Sequence, residues 1–284
     1  MTTAHSSPNN LFNLIKIDPI LKCSLVNRDN RFVVNVEFNG KIYKAHTNNT
    51  GRMLEFMNKG QVVYCTSKPK GKTDFRLFAF EDNSVDGDVA ALVDTRYQMQ
   101  SFEVAWQRGL ISWLNGWQMK SRDSDLYGSK IDYLAIPSGE IKQKYYSQFT
   151  ISHPNMKIIA QNSCPAYPSD ENDKLYIEIK SAAERGINQM TNFAMYPDCP
   201  SLRGQKHIKH LTQYKNENGN SAIVFMCAIP KIDAFTPNAL KDPQMMPLIK
   251  EAVDCGVCFR AINIYFDSKS GYIKLANPDI PVMV

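Results

Sequence analysis

Asp132 and the segment Glu178-Ile179-Lys180 carry the residue types from which a phosphodiester-cleaving centre can be built. Asp132 lies in the run Ile131-Asp132-Tyr133-Leu134, and Glu178 and Lys180 lie in Leu175-Tyr176-Ile177-Glu178-Ile179-Lys180; both runs read as strands. Side chains alternate across a strand, so Leu175, Ile177 and Ile179 share one face and Tyr176, Glu178 and Lys180 the other. Two carboxylates from neighbouring strands can share a hard divalent cation, Mg²⁺ or Mn²⁺ in its place. A lysine on the same face can orient or deprotonate a water and steady a phosphate, while the metal supplies Lewis acidity. The same spacing also fits a half-buried strand that turns its charges to solvent. Taken alone, the pattern does not choose between them.

A second constellation is Arg203-Gly204-Gln205-Lys206-His207-Ile208-Lys209-His210-Leu211. At helical spacing Arg203, Lys206, His207 and His210 fall on one face and Ile208 and Leu211 to another side, an arrangement suited to gripping phosphate oxygens or to an ordinary solvated face. His207 and His210 stand one helical turn apart, yet no cysteine or carboxylate lies beside them to complete a zinc site. A third group, Arg31, Lys41, Lys44, His46 and Arg52 with Lys68, Lys70 and Lys72, is interleaved with Phe32, Phe38 and Tyr43. Such surfaces on small barrels track single strands, although core packing is the commoner task for the aromatics. Cys255-Gly-Val-Cys258 has no second pair at zinc-ribbon spacing and reads as structural. No phosphate-cradling glycine loop, nucleophile elbow or dinucleotide fingerprint is present.

The elements that must position these groups follow from patterning. Residues 1–10 are polar and read as a disordered tail. Phe32–Phe38, then Asn39-Gly40, then Lys41–His46 is a strong hairpin signal. With further strands at Val62–Thr66 and Phe75–Phe80 it predicts a small closed or nearly closed barrel. After Ser84 the style changes. Val89–Val93 reads as a strand. Phe102, Ala105, Trp106, Gly109, Leu110, Trp113, Leu114 and Trp117 then follow a helical spacing that predicts a packed helix face. Downstream, a helix over Gly204–Tyr214, a buried strand over Ala222–Ile229, a helix over Pro243–Cys255 and a strand over Val257–Phe266 predict an α/β domain. Residues 137–174, polar and rich in proline, read as an insertion with room for a hairpin.

Composition bounds the answer. The 284 residues are 43% hydrophobic and 21% charged, which suffices for a core and argues against wholesale disorder. No apolar run approaches the roughly 18 residues of a membrane span, and no secretory leader is evident. The seven cysteines are odd in number and lack a framework spacing, which predicts an intracellular, cytoplasmic, reducing setting. A net charge of +5 is mildly basic, and its clustering favours a polyanion partner over a purely structural role.

Several segments together resemble the sugar fermentation stimulation protein A family: Arg31-Phe-Val-Val, Lys44-Ala-His-Thr-Asn-Asn-Thr-Gly-Arg-Met53, Val93-Asp-Thr-Arg96, Gly128-Ser-Lys-Ile-Asp-Tyr133, Ile177-Glu-Ile-Lys-Ser181, Pro197-Asp-Cys-Pro-Ser-Leu-Arg-Gly-Gln-Lys-His207, and Asp242-Pro243 with Gly256-Val257. They occur in the family's order across residues 28–267. The resemblance implies an α/β (α+β overall) protein: an N-terminal OB-like β-barrel followed by a PD-(D/E)XK nuclease-like α/β domain. The expected layout is a tail and lead-in at 1–27, the barrel at 28–84, and the nuclease-like domain at 85–284 with its insertion at about 137–174. The resemblance also implies DNA binding, DNA rather than RNA, and a regulatory role in sugar metabolism. By position, Asp132, Glu178 and Lys180 match the nuclease-like acidic and lysine positions, and Arg203, Lys206 and His207 the basic R-G-x-K-H stretch. The family's glutamate ahead of Tyr127-Gly128 has no obvious equivalent; Asp123, Asp125 and Glu103 are the acids available.

Two functions are therefore expected. One is a Mg²⁺-dependent hydrolase of phosphodiesters, with Asp132 and Glu178 on the metal, Lys180 on water or phosphate, and Arg31, His46, Arg52, Arg203, Lys206 and His207 on nucleic acid. The other is a non-catalytic DNA-binding regulator on the same fold.

Overall fold

The computed structural model describes residues 12–68, 71–85, 87–139, 168–188 and 191–284. The expected tail at 1–10, Lys70, Cys164 and most of the expected insertion lie outside these residues.

The barrel is built from β2 (Leu21–Asn30), β3 (Val33–Phe38), β4 (Lys41–His46), β5 (Val62–Ser67) and β6 (Phe75–Glu81). Its strands run β4-β3-β2-β5-β6, and β4 closes on β6 in parallel at Ala45↔Phe75. That is an OB barrel. Asn39 and Gly40 both take positive φ, 51° and 74°, the backbone a two-residue hairpin requires and that Asn-Gly supplies at least cost. Alternation then turns Val34 and Val36 inward to meet Leu25, Val63 and Leu77, each of them buried. The first barrel strand begins at Leu21, ahead of residue 28, and β1 (Phe12–Lys16) leaves the barrel altogether to pair with β16 (Tyr272–Ile280).

The second domain contains β7 (Val89–Leu92), α1 (Thr95–Gln107), β8 (Trp117–Leu126), β9 (Ser129–Pro137), β10 (Leu175–Ala182), α2 (Leu202–Asn216), β13 (Asn220–Cys227), α3 (Met245–Asp254) and β15 (Cys258–Asp267). A small sheet of β11 (Glu184–Asn188), β12 (Thr191–Tyr196) and β14 (Ala234–Pro237) lies beside it. In the main sheet the order β7-β15-β13-β10-β9-β8 is mixed, with β10, β13 and β15 parallel. β13 is buried at every residue from Ser221 to Cys227, because a central parallel strand is covered on both faces. On one face Phe102, Ala105 and Trp106 of α1 pack with Tyr133, Ile177 and Val224. On the other, Ile208 and Leu211 of α2 and Ile249 of α3 pack with Ile223 and Phe225. The chain order α1-β8-β9-β10-α2-β13 is that of a PD-(D/E)XK nuclease-like domain, as expected.

The helix expected to run to Trp117 is shorter. α1 ends at Gln107, Gly109 adopts φ 69°, a single 3₁₀ turn spans Ser112–Leu114, and Trp117 opens β8. A glycine in the left-handed region is a common helix stop, and it outranks continued apolar spacing. Trp106, Trp113 and Trp117 are nonetheless core residues, at 6%, 8% and 3% exposure.

Candidate active site

β9 and β10 pair antiparallel from Leu175↔Ala135 to Ile177↔Tyr133. One residue further, side chains take over from the backbone ladder. The Ile179 N–H donates to Asp132 Oδ2 at 2.7 Å, and the Asp132 N–H approaches Glu178 Oε2 at 3.4 Å. β10 meanwhile stays in unbroken parallel register with β13, from Leu175↔Asn220 to Ala182↔Cys227. The acids therefore sit in a fork between a strand that is held and one that departs.

Glu178 and Lys180 are 3% and 8% exposed, which excludes the solvated-face alternative. Lys180 Nζ donates to Glu178 Oε1 at 2.6 Å, and His207 Nδ1 lies 2.5 Å from the same oxygen. Buried charges persist only when paired, and this cluster is paired on one side alone. Glu178 Oε1 takes both strong contacts and Oε2 only the long one. Among the described residues Asp132 accepts one hydrogen bond, from Ile179 N–H on Oδ2.

The titration behaviour follows. Burial, and then the Glu178 charge, push the Asp132 carboxyl up to about 7. Burial acts on Glu178 in the same direction, but Lys180 and His207 outweigh it and hold that carboxyl below its ordinary value. Burial would lower Lys180; Glu178 first, then Tyr196 and Asp132, reverse this and keep the ammonium charged.

Among the described residues no group of three His, Cys, Asp or Glu side chains is placed to hold a metal, so an all-protein cage is absent. Mg²⁺ keeps several waters and needs only one or two carboxylates. Asp132 and Glu178 fit that requirement, each with one under-used oxygen.

α2 completes the cluster from below. Its N-cap Ser201 accepts from Gly204 N at 3.1 Å, and the Tyr196 hydroxyl donates to Ser201 Oγ at 3.1 Å. A Cβ at Gly204 would collide with the Tyr196 oxygen, which is why R-G-x-K-H carries glycine. The inward stripe of α2 is Gly204, His207, Ile208, Leu211 and Thr212. The single basic face expected of this helix is thereby divided. His207 is 3% exposed and points into the acids, Arg203 reaches its Nε2 at 3.4 Å, Lys206 is exposed, and His210 binds the Leu126 carbonyl at 3.2 Å. The basic run of the sequence places His207 on phosphate, and the structure turns it inward instead. Its spacing with Gly204 and Leu211, next to Ile208, was the signal that it belongs to the buried stripe.

The barrel candidates do not join the cluster. Arg31 is exposed and its guanidinium lies 4.7 Å from the Phe32 ring centroid. Arg52 is exposed as well. Burial first, then Lys68 and Arg76, lower the His46 pKa, so near neutral pH it meets a partner as an uncharged group. Asn48, Asn49 and Gly51 instead hold the barrel to its neighbour. Asn48 donates to Asp94 Oδ1 at 3.0 Å and accepts from Thr95 N at 3.1 Å, while Asn49 donates to the Val93 carbonyl at 3.2 Å. A Cβ on Gly51 would strike the Asp198 carboxylate, which accepts the Met53 N–H at 3.1 Å.

No acid in the described structure takes up the missing glutamate's place beside Asp132 and Glu178. Glu103 is buried on the α1 side, bonded to the Tyr133 hydroxyl at 2.8 Å and to Arg122. Tyr133 and Asp132 are successive on β9 and face opposite ways. Asp123 and Asp125 are exposed on β8. Cys255 is a free thiol, so Cys255-Gly-Val-Cys258 is not closed on itself.

An OB barrel joined to a PD-(D/E)XK nuclease-like α/β domain, with buried Glu178, Lys180 and His207 beside half-buried Asp132 at its strand fork, defines the class of this protein. Two family models match it: the sugar fermentation stimulation protein N-terminal OB domain over residues 26–91, and the sugar fermentation stimulation protein RE domain over residues 153–270. The sugar fermentation stimulation protein homolog of Archaeoglobus fulgidus is 35% identical over 272 residues, covering 95% of this chain and 99% of its own. The Pyrococcus furiosus homolog is 34% identical over 255 residues, covering 89% and 93%. A solved structure of Pyrococcus furiosus SfsA in complex with Ca²⁺ superposes with a TM-score of 0.77 at 32% identity, covering 96% of this chain and 100% of that one. The chain belongs to the sugar fermentation stimulation protein family.

Proposed function

We propose that this protein is a divalent-metal-dependent nuclease acting on DNA. The observation that carries the reading is the burial of Glu178 and Lys180 beside Asp132 in the strand fork, with one oxygen of each acid under-used. A Ca²⁺ complex of the Pyrococcus furiosus relative supports an oxygen-donor ion site in this family. Asp132 and Glu178 would hold Mg²⁺, or Mn²⁺ in its place, and the ion when bound supplies Lewis acidity at the phosphate. Lys180, kept protonated by Glu178, acts as a charged donor that orients water or steadies the developing negative charge; this favours electrostatic support over general-base work. Arg203 and Lys206 at the head of α2, with Arg52 and Arg31 on the barrel, supply phosphate contacts. DNA is preferred to RNA on the family's implied binding.

A second reading, a DNA-binding regulator without turnover, is favoured by one observation: among the described residues no third acid stands beside Asp132 and Glu178. Cleavage of labelled single- and double-stranded DNA and RNA with Mg²⁺ or Mn²⁺ separates the two. Metal-dependent cutting that Glu178→Ala and Lys180→Ala abolish is the expected result. Salt-sensitive binding without cutting, unchanged in both variants, would establish the regulator.

A further inference from the structure

We propose that His207 is a positioning residue for Glu178, held by Arg203 in the tautomer that carries its proton on Nδ1. The inference rests on the metal-dependent reading of the site and adds what aims the carboxylate.

The hydrogen-bond inventory decides the tautomer. An arginine Nε–H can only donate. Arg203 Nε lies 3.4 Å from His207 Nε2, so that ring nitrogen presents its lone pair. A neutral imidazole then has its proton on Nδ1, 2.5 Å from Glu178 Oε1. The opposite tautomer would set a lone pair against a carboxylate oxygen at that distance and an N–H against a guanidinium. At 3% exposure His207 has little water to turn to, so neither mismatch would be relieved by solvent.

The consequence falls on the acid. Lys180 and His207 both engage Oε1, one from its own strand and one from α2. Two donors from different directions fix the rotation of the carboxylate about its last bond, and Oε2 is left turned toward the Asp132 side. Gly204 and the Tyr196–Ser201 contact set the depth at which α2 delivers the ring. Partners that orient ligating groups are worth about 10–100-fold in metal affinity or activity when removed.

The test uses the intact chain. Long-range ¹H–¹⁵N NMR on the metal-free protein reads the tautomer directly, and the expected proton is on Nδ1 of His207. Mn²⁺ affinity is then measured by calorimetry, with thermal melting as the folding control, for His207→Asn and His207→Gln. The asparagine amide N–H overlies Nδ1 and the glutamine amide N–H overlies Nε2. His207→Asn should bind Mn²⁺ close to wild type, and His207→Gln about 10–100-fold more weakly. A proton on Nε2 would overturn the inference, as would two variants that both bind like wild type. A folded His207→Asn that loses affinity as much as His207→Gln would do the same. Wild type that binds no divalent ion would remove the metal reading and this inference with it. Wild type that binds Mn²⁺ and shows the two-variant difference, yet cuts nothing, would leave His207's role standing and turn the function to the regulator.

Discussion

Two carboxylates in this molecule, Asp94 fully buried and Asp132 half-buried, sit in opposite states of satisfaction. Asp94, at the barrel junction, is 0% exposed; its Oδ1 accepts from Asn48, Arg76, Arg96 N and Tyr97 N, and its Oδ2 pairs with Arg76. Asp132, in the strand fork, accepts one backbone N–H and is pushed up to about 7. Both are aspartates within family motifs, and both are held by elements from different parts of the chain. A saturated carboxylate has no lone pair to offer and serves as a rivet. An unsaturated one, desolvated and set beside the Glu178 charge, has its pKa raised and keeps oxygen to spare for a cation. The contrast separates a residue that assembles the protein from one with oxygen left for a ligand.

That separation can be broken experimentally, most severely at the junction. Asp94→Ala leaves Arg76 without its partner, Asn48 without its acceptor and α1 without its N-cap. It should cost about 3–5 kcal/mol, read as a lower urea midpoint that added Mg²⁺ does not selectively restore. If Asp94→Ala folds as stably as wild type, the rivet is not one.

At the fork the effect should be smaller and conditional on ions. Wild-type protein should gain about 2–3 kcal/mol of stability when Mn²⁺ is raised to around a hundred times its dissociation constant, seen as a rise in melting temperature. Asp132→Asn should show none of that gain, and a gain of equal size would remove Asp132 from the metal site.

The pH dependence of the metal-free protein sharpens the same point. Asp132 titrates near 7 when folded, against an ordinary 3.8. The folded state therefore binds the proton more tightly. The contribution is fully present below about pH 4 and is lost as pH rises toward and through 7. Asp132→Asn should flatten that decline, which urea titrations at pH 4, 5.5 and 7 without metal would register.

The smallest effect belongs to the exposed rim. Lys206→Ala should leave stability within about 0.5 kcal/mol and reduce the slope of log binding constant against log salt by about one. An unchanged slope would place the phosphate contacts elsewhere.

Much of this was legible in the residues. Asn39-Gly40 with flanking alternation placed the hairpin, because few residues take positive φ in succession at low cost. The alternation of Leu175–Lys180 placed Glu178 and Lys180 on one face, and β10 confirms it. The apolar run from Ala222 placed a central strand that proves buried on both faces. What misled was apolar spacing past Gln107, where Gly109 ends α1 although Leu110, Trp113 and Trp117 keep a helical rhythm. The basic stretch of α2 misled in a similar way, because His207 lies at helical spacing both from Arg203 and from the inward Gly204 and Leu211.

By itself, then, the sequence determined which acid and which lysine share a strand face, where the hairpin turns, and that a barrel precedes an α/β domain. These are consequences of period, turn chemistry and local backbone preference, which act over a few residues. Whether Glu178 and Lys180 face water or protein, that His207 belongs with them, and that Asn48 and Asp94 join the two domains were decided by tertiary structure alone. Each depends on groups far apart in the chain meeting in space, and burial then sets their charge states through desolvation and the partners at hand.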